Sequence, residues 1–106
     1  MSAWINVAAP EEIEPGRCVV VDIDGTPVAV FNIDGEFLAV EDECSHERYP
    51  LSDGEVEADT VTCAQHGAQF SLRTGEALSA PAFEPVTTFA VRVEHGRVQV
   101  RDSGTD

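Results

Sequence analysis

Short apolar runs alternate with polar pairs that contain glycine along most of the chain. Period-two alternation and β-branched runs predict strands rather than helices. Trp4 to Ala8 reads as a first short strand, and Glu11-Glu12-Ile13-Glu14-Pro15-Gly16 as the loop that leaves it. Cys18 to Ile23, Pro27 to Ile33 and Glu36 to Val40 are separated by Asp24-Gly25 and Asp34-Gly35, which predicts a three-strand meander. Type I′ hairpin turns need positive φ at both central residues, and Asp-Gly supplies it. Residues 41–55 are polar, contain Pro50 and Asp53-Gly54, and read as a long loop. Glu55 to Glu57 and Thr60 to Thr62 suggest a short hairpin, and Gln69 to Arg73 a further strand running into Thr74-Gly75. Residues 79–85 form a loop stiffened by Pro81 and Pro85. Val86 to Glu94 alternates, with Phe89, Val91 and Val93 on one face, and His95-Gly96 turns the chain into Arg97 to Arg101. No window has a helical period, no segment repeats, and residues 103–106 are expected to fray. The pattern predicts an all-β sandwich or barrel carrying long loops.

At 106 residues the chain has room for a single domain, residues 1–106, and not for separate cofactor and catalytic domains. Its charge is lopsided, with 20 acidic against 6 basic residues for a formal net charge of −14, and every basic residue is Arg. Such a surface repels nucleic acid and anionic lipid and favours a partner with a basic docking face. The N-terminus lacks a basic segment followed by an apolar one, so no signal peptide is expected. The longest apolar stretch, around Cys18 to Ile23, falls far short of the ~20 residues that span a bilayer. Three Cys is an odd count, which makes a disulfide framework the weaker reading. A cytoplasmic protein with reduced thiols is the expectation.

Two of the three Cys stand beside two of the three His, as Cys44-Ser45-His46 and Cys63-Ala64-Gln65-His66, with sixteen residues between the pairs. Both pairs fall in irregular segments between strands, where a scaffold usually presents functional groups. Thiolate and imidazole together suit zinc or an iron–sulfur cluster. Structural zinc more often uses Cys-x₂₋₄-Cys and His-x₃₋₅-His halves than mixed ones. A Cys–His nucleophile has no evident third orienting group. Cys18, which opens an apolar strand without a His neighbour, reads as a core thiol, and His95, in a turn before Gly, as an exposed side chain. Trp4 is compatible with a core anchor or a docking surface.

With Cys-x-His, this spacer and Cys-x-x-His, the sequence resembles the Rieske family. The flanks agree: Pro50-Leu51-Ser52-Asp53-Gly54 after the first pair, and His66-Gly67-Ala68-Gln69-Phe70-Ser71-Leu72-Arg73-Thr74-Gly75 after the second. Pro81 and Pro85 fit the family's proline loop. The resemblance covers essentially the whole chain and is strongest to the small ferredoxins that serve bacterial ring-hydroxylating dioxygenases. It implies an antiparallel β sandwich or barrel with a cluster-binding part at about 41–85, made of two ligand loops and the proline loop. It further implies one 2Fe–2S cluster per chain, with Cys44 and Cys63 on one iron and His46 and His66 on the other. Two imidazoles in place of thiolates leave the cluster less negative and raise its potential above that of all-Cys ferredoxins.

High-potential relatives carry an extra Cys in each ligand loop, joined as a disulfide, and hydroxyls from a Ser and a Tyr that bond the cluster's sulfurs. The matching residues here are Tyr49 and Gln65, and Ala68 and Phe70. Without those donors the expected potential lies near the low end, ~−150 mV. Acidic Glu41, Asp42, Glu43 and Glu47 beside the first pair push the same way and are expected to form a docking rim, whereas the acidic runs at 11–14 and 53–59 read as solvated surface or docking sites. The implied role is a one-electron carrier, not an enzyme, between a NAD(P)H-dependent flavin reductase and a terminal aromatic ring-hydroxylating oxygenase. Only His95 is left over for a second, mononuclear iron, which excludes the oxygenase's catalytic subunit. The alternative is the small Rieske-like subunit of an assimilatory nitrite reductase.

Overall fold

The computed structural model describes residues 4–23, 25–43, 50–64, 67–79 and 84–101, and these form nine strands. They are β1 (Trp4–Ala8), β2 (Cys18–Ile23), β3 (Thr26–Ile33), β4 (Glu36–Glu41), β5 (Glu55–Glu57), β6 (Thr60–Thr62), β7 (Gln69–Ser71), β8 (Thr88–Glu94) and β9 (Arg97–Arg101). Two sheets result: a six-stranded one in the order β1-β9-β8-β4-β3-β2 and a three-stranded one in the order β5-β6-β7. All ladders are antiparallel. The chain leaves the large sheet at the end of β4, builds the small sheet, and returns as β8 alongside β4.

Local turn chemistry sets much of this register. Asp34 and Gly35 have φ of 54° and 92°, and His95 and Gly96 have 54° and 72°, the positive pair that a tight hairpin demands. Asn32 supports the first of these turns by accepting the Gly35 N–H at 2.7 Å, while its own amide donates to the Ile13 carbonyl at 2.6 Å. That second bond ties the loop after β1 to β3. A 3-10 turn at Pro10–Glu12, too short to show a period in the sequence, begins the same loop. β7 stops at Ser71, earlier than the expected Arg73, because the Ser71 hydroxyl accepts the N–H groups of Arg73 and Thr74 and its carbonyl accepts that of Gly75.

β3 is buried on both faces, and two cores lie on either side of it. Ala29 and Phe31, with Val40, pack against Leu51, Val61, Ala68, Phe70 and Leu72 of the small-sheet region. Val28 and Val30 point the other way, into a core with Ala8, Ile13, Ile23, Ala39, Val98 and Val100. Ile23 of one edge strand and Ala8 of the other meet in that second core, so the large sheet curls toward a barrel. Phe89 and Val91 pack against it as expected, but Val93, assigned to the same face, is 52% exposed although its ladder partner Val98, which also pairs with β1, is fully buried in that core. Arg73 braces the two sheets from outside. Its guanidinium makes a bidentate contact with Glu36 at 2.6 and 2.7 Å and donates to Asp59 at 2.9 Å. All three side chains are well exposed, so this brace fixes orientation more than it adds stability. Among the described residues no helix is long and apolar enough to cross a membrane.

Candidate metal centre

Of the four predicted ligands, Cys63 is described; Cys44, His46 and His66 lie outside the described residues, as do Tyr49, Gln65, Glu47, Pro81 and Phe83. Backbone contacts at the flanks of those segments show how the fold presents them. On the entry side of the first segment, Glu41 N–H donates to the Thr87 carbonyl and Asp42 N–H to the Pro27 carbonyl, both at 2.8 Å. On the exit side, Pro50 leads into a 3-10 turn at Leu51–Asp53 in which Leu51 is fully buried. Gly54 closes that turn and then passes so near the Thr62 backbone that a Cβ there would collide with the Thr62 carbonyl oxygen. Glu55 pairs with Thr62 in the β5–β6 ladder. The chain leaving the first segment therefore lies directly against the residue that precedes Cys63.

Cys63 itself is 2% exposed and shares the first core with Leu51, Val61, Ala68 and Phe70. Its N–H donates to the Ala68 carbonyl at 2.7 Å, which closes the base of the second segment. Gly67 in this turn has φ of +75°, a conformation that strains other residues. The proline-containing segment is closed in the same way. Val86 N–H donates to the Gly75 carbonyl at 2.8 Å, and Gly75, at φ +79°, has no room for a Cβ against the Val86 carbonyl. Leu78 N–H donates to the Gln69 carbonyl at 2.7 Å on the other side. All three segments thus spring from hydrogen-bonded bases.

A thiolate in an apolar, dry setting is too costly to stand alone and calls for a cation beside it. Buried Cys63, with soft thiolate and imidazole donors on the neighbouring segments, fits an iron–sulfur centre. Ala68 and Phe70, the residues at the expected hydroxyl positions, are both fully buried in the same core.

The structure corrects one expectation and locates three other residues singled out in the sequence. Asp42 does not belong to an exposed docking rim: it is 7% exposed, and its carboxylate accepts the N–H and the hydroxyl of Ser52 at 2.6 and 2.8 Å. Its place in the sequence, among Glu41, Glu43 and Glu47, hid this. Glu41 and Glu43 remain partly exposed, and burial together with the Glu43 charge pushes the Glu41 carboxyl up. Cys18 is half-buried against the first core, as expected, and its thiol donates to the Ser52 carbonyl at 3.8 Å. Burial, then the Asp42 and Asp53 charges, raises its pKa and keeps it protonated. His95 is exposed. Trp4 is half-buried on β1, beneath the guanidinium groups of Arg92 at 4.2 Å and Arg101 at 4.9 Å.

An antiparallel barrel that brings the flanks of two Cys/His segments together is the frame of an iron–sulfur protein. Residues 3–90 match the Rieske [2Fe-2S] domain, and the chain belongs to that family. Its cofactor is a Rieske-type 2Fe–2S cluster. The chain is 40% identical over 92 residues to the biphenyl dioxygenase ferredoxin subunit of Pseudomonas sp. strain KKS102, which covers 86% of this chain and 84% of that one. The fold matches a chain from the complex of reduced oxygenase and oxidized ferredoxin in carbazole 1,9a-dioxygenase, with a TM-score of 0.87 and 36% identity over 92% of this chain and 91% of that one. It also matches a protein assigned as the small subunit of an NADH-dependent nitrite reductase from Mycobacterium tuberculosis, with a TM-score of 0.86 and 29% identity over 95% and 96% of the two chains.

The Gly54 contact yields a first prediction. Gly54→Ala forces the backbone apart beside Thr62, and overpacking of this kind costs about 1–3 kcal/mol. Purified Gly54→Ala protein is expected to melt at lower temperature and to hold substoichiometric iron and acid-labile sulfide. Wild-type iron content and melting would show that the close approach is dispensable.

Proposed function

We propose that this chain is a Rieske ferredoxin that carries one electron at a time from a NAD(P)H-dependent flavin reductase to a terminal aromatic ring-hydroxylating oxygenase. In this reading Cys44 and Cys63 hold one iron and His46 and His66 the other, within a cluster-binding part at about 41–85. The observation that carries it is the placement of Cys63: a buried thiol in a segment whose base abuts the flank of the Cys44/His46 segment. The Pseudomonas relative, a dioxygenase ferredoxin subunit, supports the choice of partners.

When bound, the cluster supplies reversible one-electron chemistry and no bond-making. The chain's own contribution is binding, shielding and charge. Leu51, Val61, Ala68 and Phe70 keep water from the Cys63 thiolate. The acidic surface, at −14 overall, draws partners with basic faces. Partners fed by NAD(P)H support a cytoplasmic location. The nitrite reductase small subunit is kept as a second reading because of the structural match to such a protein. Reconstitution separates the two: the first requires NAD(P)H-dependent substrate hydroxylation with a flavin reductase and an aromatic oxygenase, and the second requires support of a nitrite reductase large subunit instead.

Three predictions test this function and its ligands. His46→Ala and His66→Ala should each abolish the Rieske-type EPR spectrum of the reduced protein, and a normal spectrum from either would reassign the ligands. Ala68→Ser combined with Phe70→Tyr should raise the midpoint potential by adding hydroxyl donors. A rise of about 60 mV corresponds to a tenfold bias toward the reduced form for a one-electron couple, and no upward shift would place these side chains away from the sulfurs. Electron transfer to the oxygenase should slow as salt rises, because the Debye length is about 8 Å at physiological ionic strength. Glu43→Gln should flatten that dependence while leaving the EPR spectrum intact. A rate indifferent to salt would assign docking to apolar contacts.

A further inference from the structure

We propose that Asp42 is a positioning residue for the metal centre, which together with Ser52 clamps shut the base of the segment carrying Cys44 and His46. This rests on the ligand assignment made above. Asp42 and Ser52 stand on opposite sides of that segment, ten residues apart, one just past β4 and the other in the Leu51–Asp53 turn. Both carboxylate oxygens are engaged, Oδ1 by the Ser52 N–H at 2.6 Å and Oδ2 by the Ser52 hydroxyl at 2.8 Å. At 7% exposure this carboxylate has little access to water, and a buried charge is retained only where such bonds satisfy it. Bonds to an ionised acceptor are roughly twice as strong as neutral ones.

Each side of the clamp is itself tied to the large sheet. Asp42 N–H donates to the Pro27 carbonyl in β3 at 2.8 Å, and the Ser52 carbonyl accepts the Cys18 thiol of β2 at 3.8 Å. Metal sites tolerate displacements of only about 0.5 Å in their supporting residues, and these ties fix the two described ends, Asp42 and Ser52, against the large sheet. Neither Asp42 nor Ser52 binds the metal; both act through the ligand segment. A surface carboxylate would not need this, and Asp42 alone among the acids from 41 to 43 is buried.

The test uses the cluster-loaded protein and the variants Ser52→Ala, Ser52→Thr and His46→Ala. Ser52→Ala removes the Oγ bond without altering any charge. It is expected to lose its visible absorption to an iron chelator about tenfold faster than wild type, a change within reach of one hydrogen bond to a charged group. Its reduced EPR lines should shift or broaden, and Ser52→Thr, which keeps the hydroxyl, should restore both properties. If Ser52→Ala merely melts earlier, with wild-type EPR lines and release rate, the bond is an ordinary structural one and the inference is overturned. If His46→Ala loses the Rieske signal while Ser52→Ala matches wild type, the ligand assignment stands and the clamp alone falls. If His46→Ala keeps the signal, the ligand assignment fails and the clamp falls with it. Should Ser52→Ala not accumulate, Asp42→Asn takes its place. Faster release with altered EPR lines then supports the clamp, and wild-type values overturn it.

Discussion

Gly54 and Thr62 approach each other backbone to backbone, at a distance no side chain would permit. The rest of the site depends on that contact. Gly54 ends the 3-10 turn that follows the segment carrying Cys44 and His46, and Thr62 is the last residue of β6 before Cys63. The β5–β6 ladder holds the same two stretches in register through Glu55 and Thr62. Two stretches distant in function along the chain thus become neighbours without any side chain between them. A bulkier residue at Gly54 would separate the bases of both segments at once.

Close to that contact in sequence, Leu51 and Val61 share a core with β3, the strand buried on both faces. Its odd-numbered residues Ala29 and Phe31 support the core that contains Cys63, and its even-numbered Val28 and Val30 fill the curled large sheet. One strand therefore couples the metal-centre region to the barrel. Alternation of side chains across a strand makes this possible, since successive residues must face opposite ways. A chain with a net charge of −14 repels itself, and its cohesion rests on these two apolar cores, with ion pairs adding orientation. Arg73 illustrates the division: it links Glu36 on the β3–β4 hairpin to Asp59 beside the β5–β6 turn, yet its bonds lie in water.

Features set by adjacent residues were legible in the sequence. Asp34-Gly35 and His95-Gly96 announced their hairpins because the required backbone angles depend on those two residues alone. The paired Cys/His spacing pointed to the Rieske family, which the match over residues 3–90 bears out. Features set by distant residues were not legible. Asp42 looked like its acidic neighbours, since only its partner Ser52, ten residues on, distinguishes a clamped carboxylate from a solvated one. Cys18 was recognisable as a core thiol, but its bond to Ser52 spans 34 residues of sequence. Val93 continued an apolar alternation yet is half exposed beside its buried partner Val98, and alternation carries no information about which side of a ladder is covered.

An electron carrier makes and breaks no bonds, so the protein supplies binding, orientation and electrostatics while the cofactor supplies the chemistry. A site that takes on and gives up a charge repeatedly works best when its ligands hold one geometry in both states. Ties at the base of each segment serve that end: Asp42 to Ser52 at the first, Cys63 to Ala68 at the second, and Gly75 to Val86 below the prolines. Each closes its own segment, and the Gly54–Thr62 contact joins the first two bases to each other. Most of the acidic charge lies at the surface, whereas Asp42 is drawn into the first base by its two bonds to Ser52.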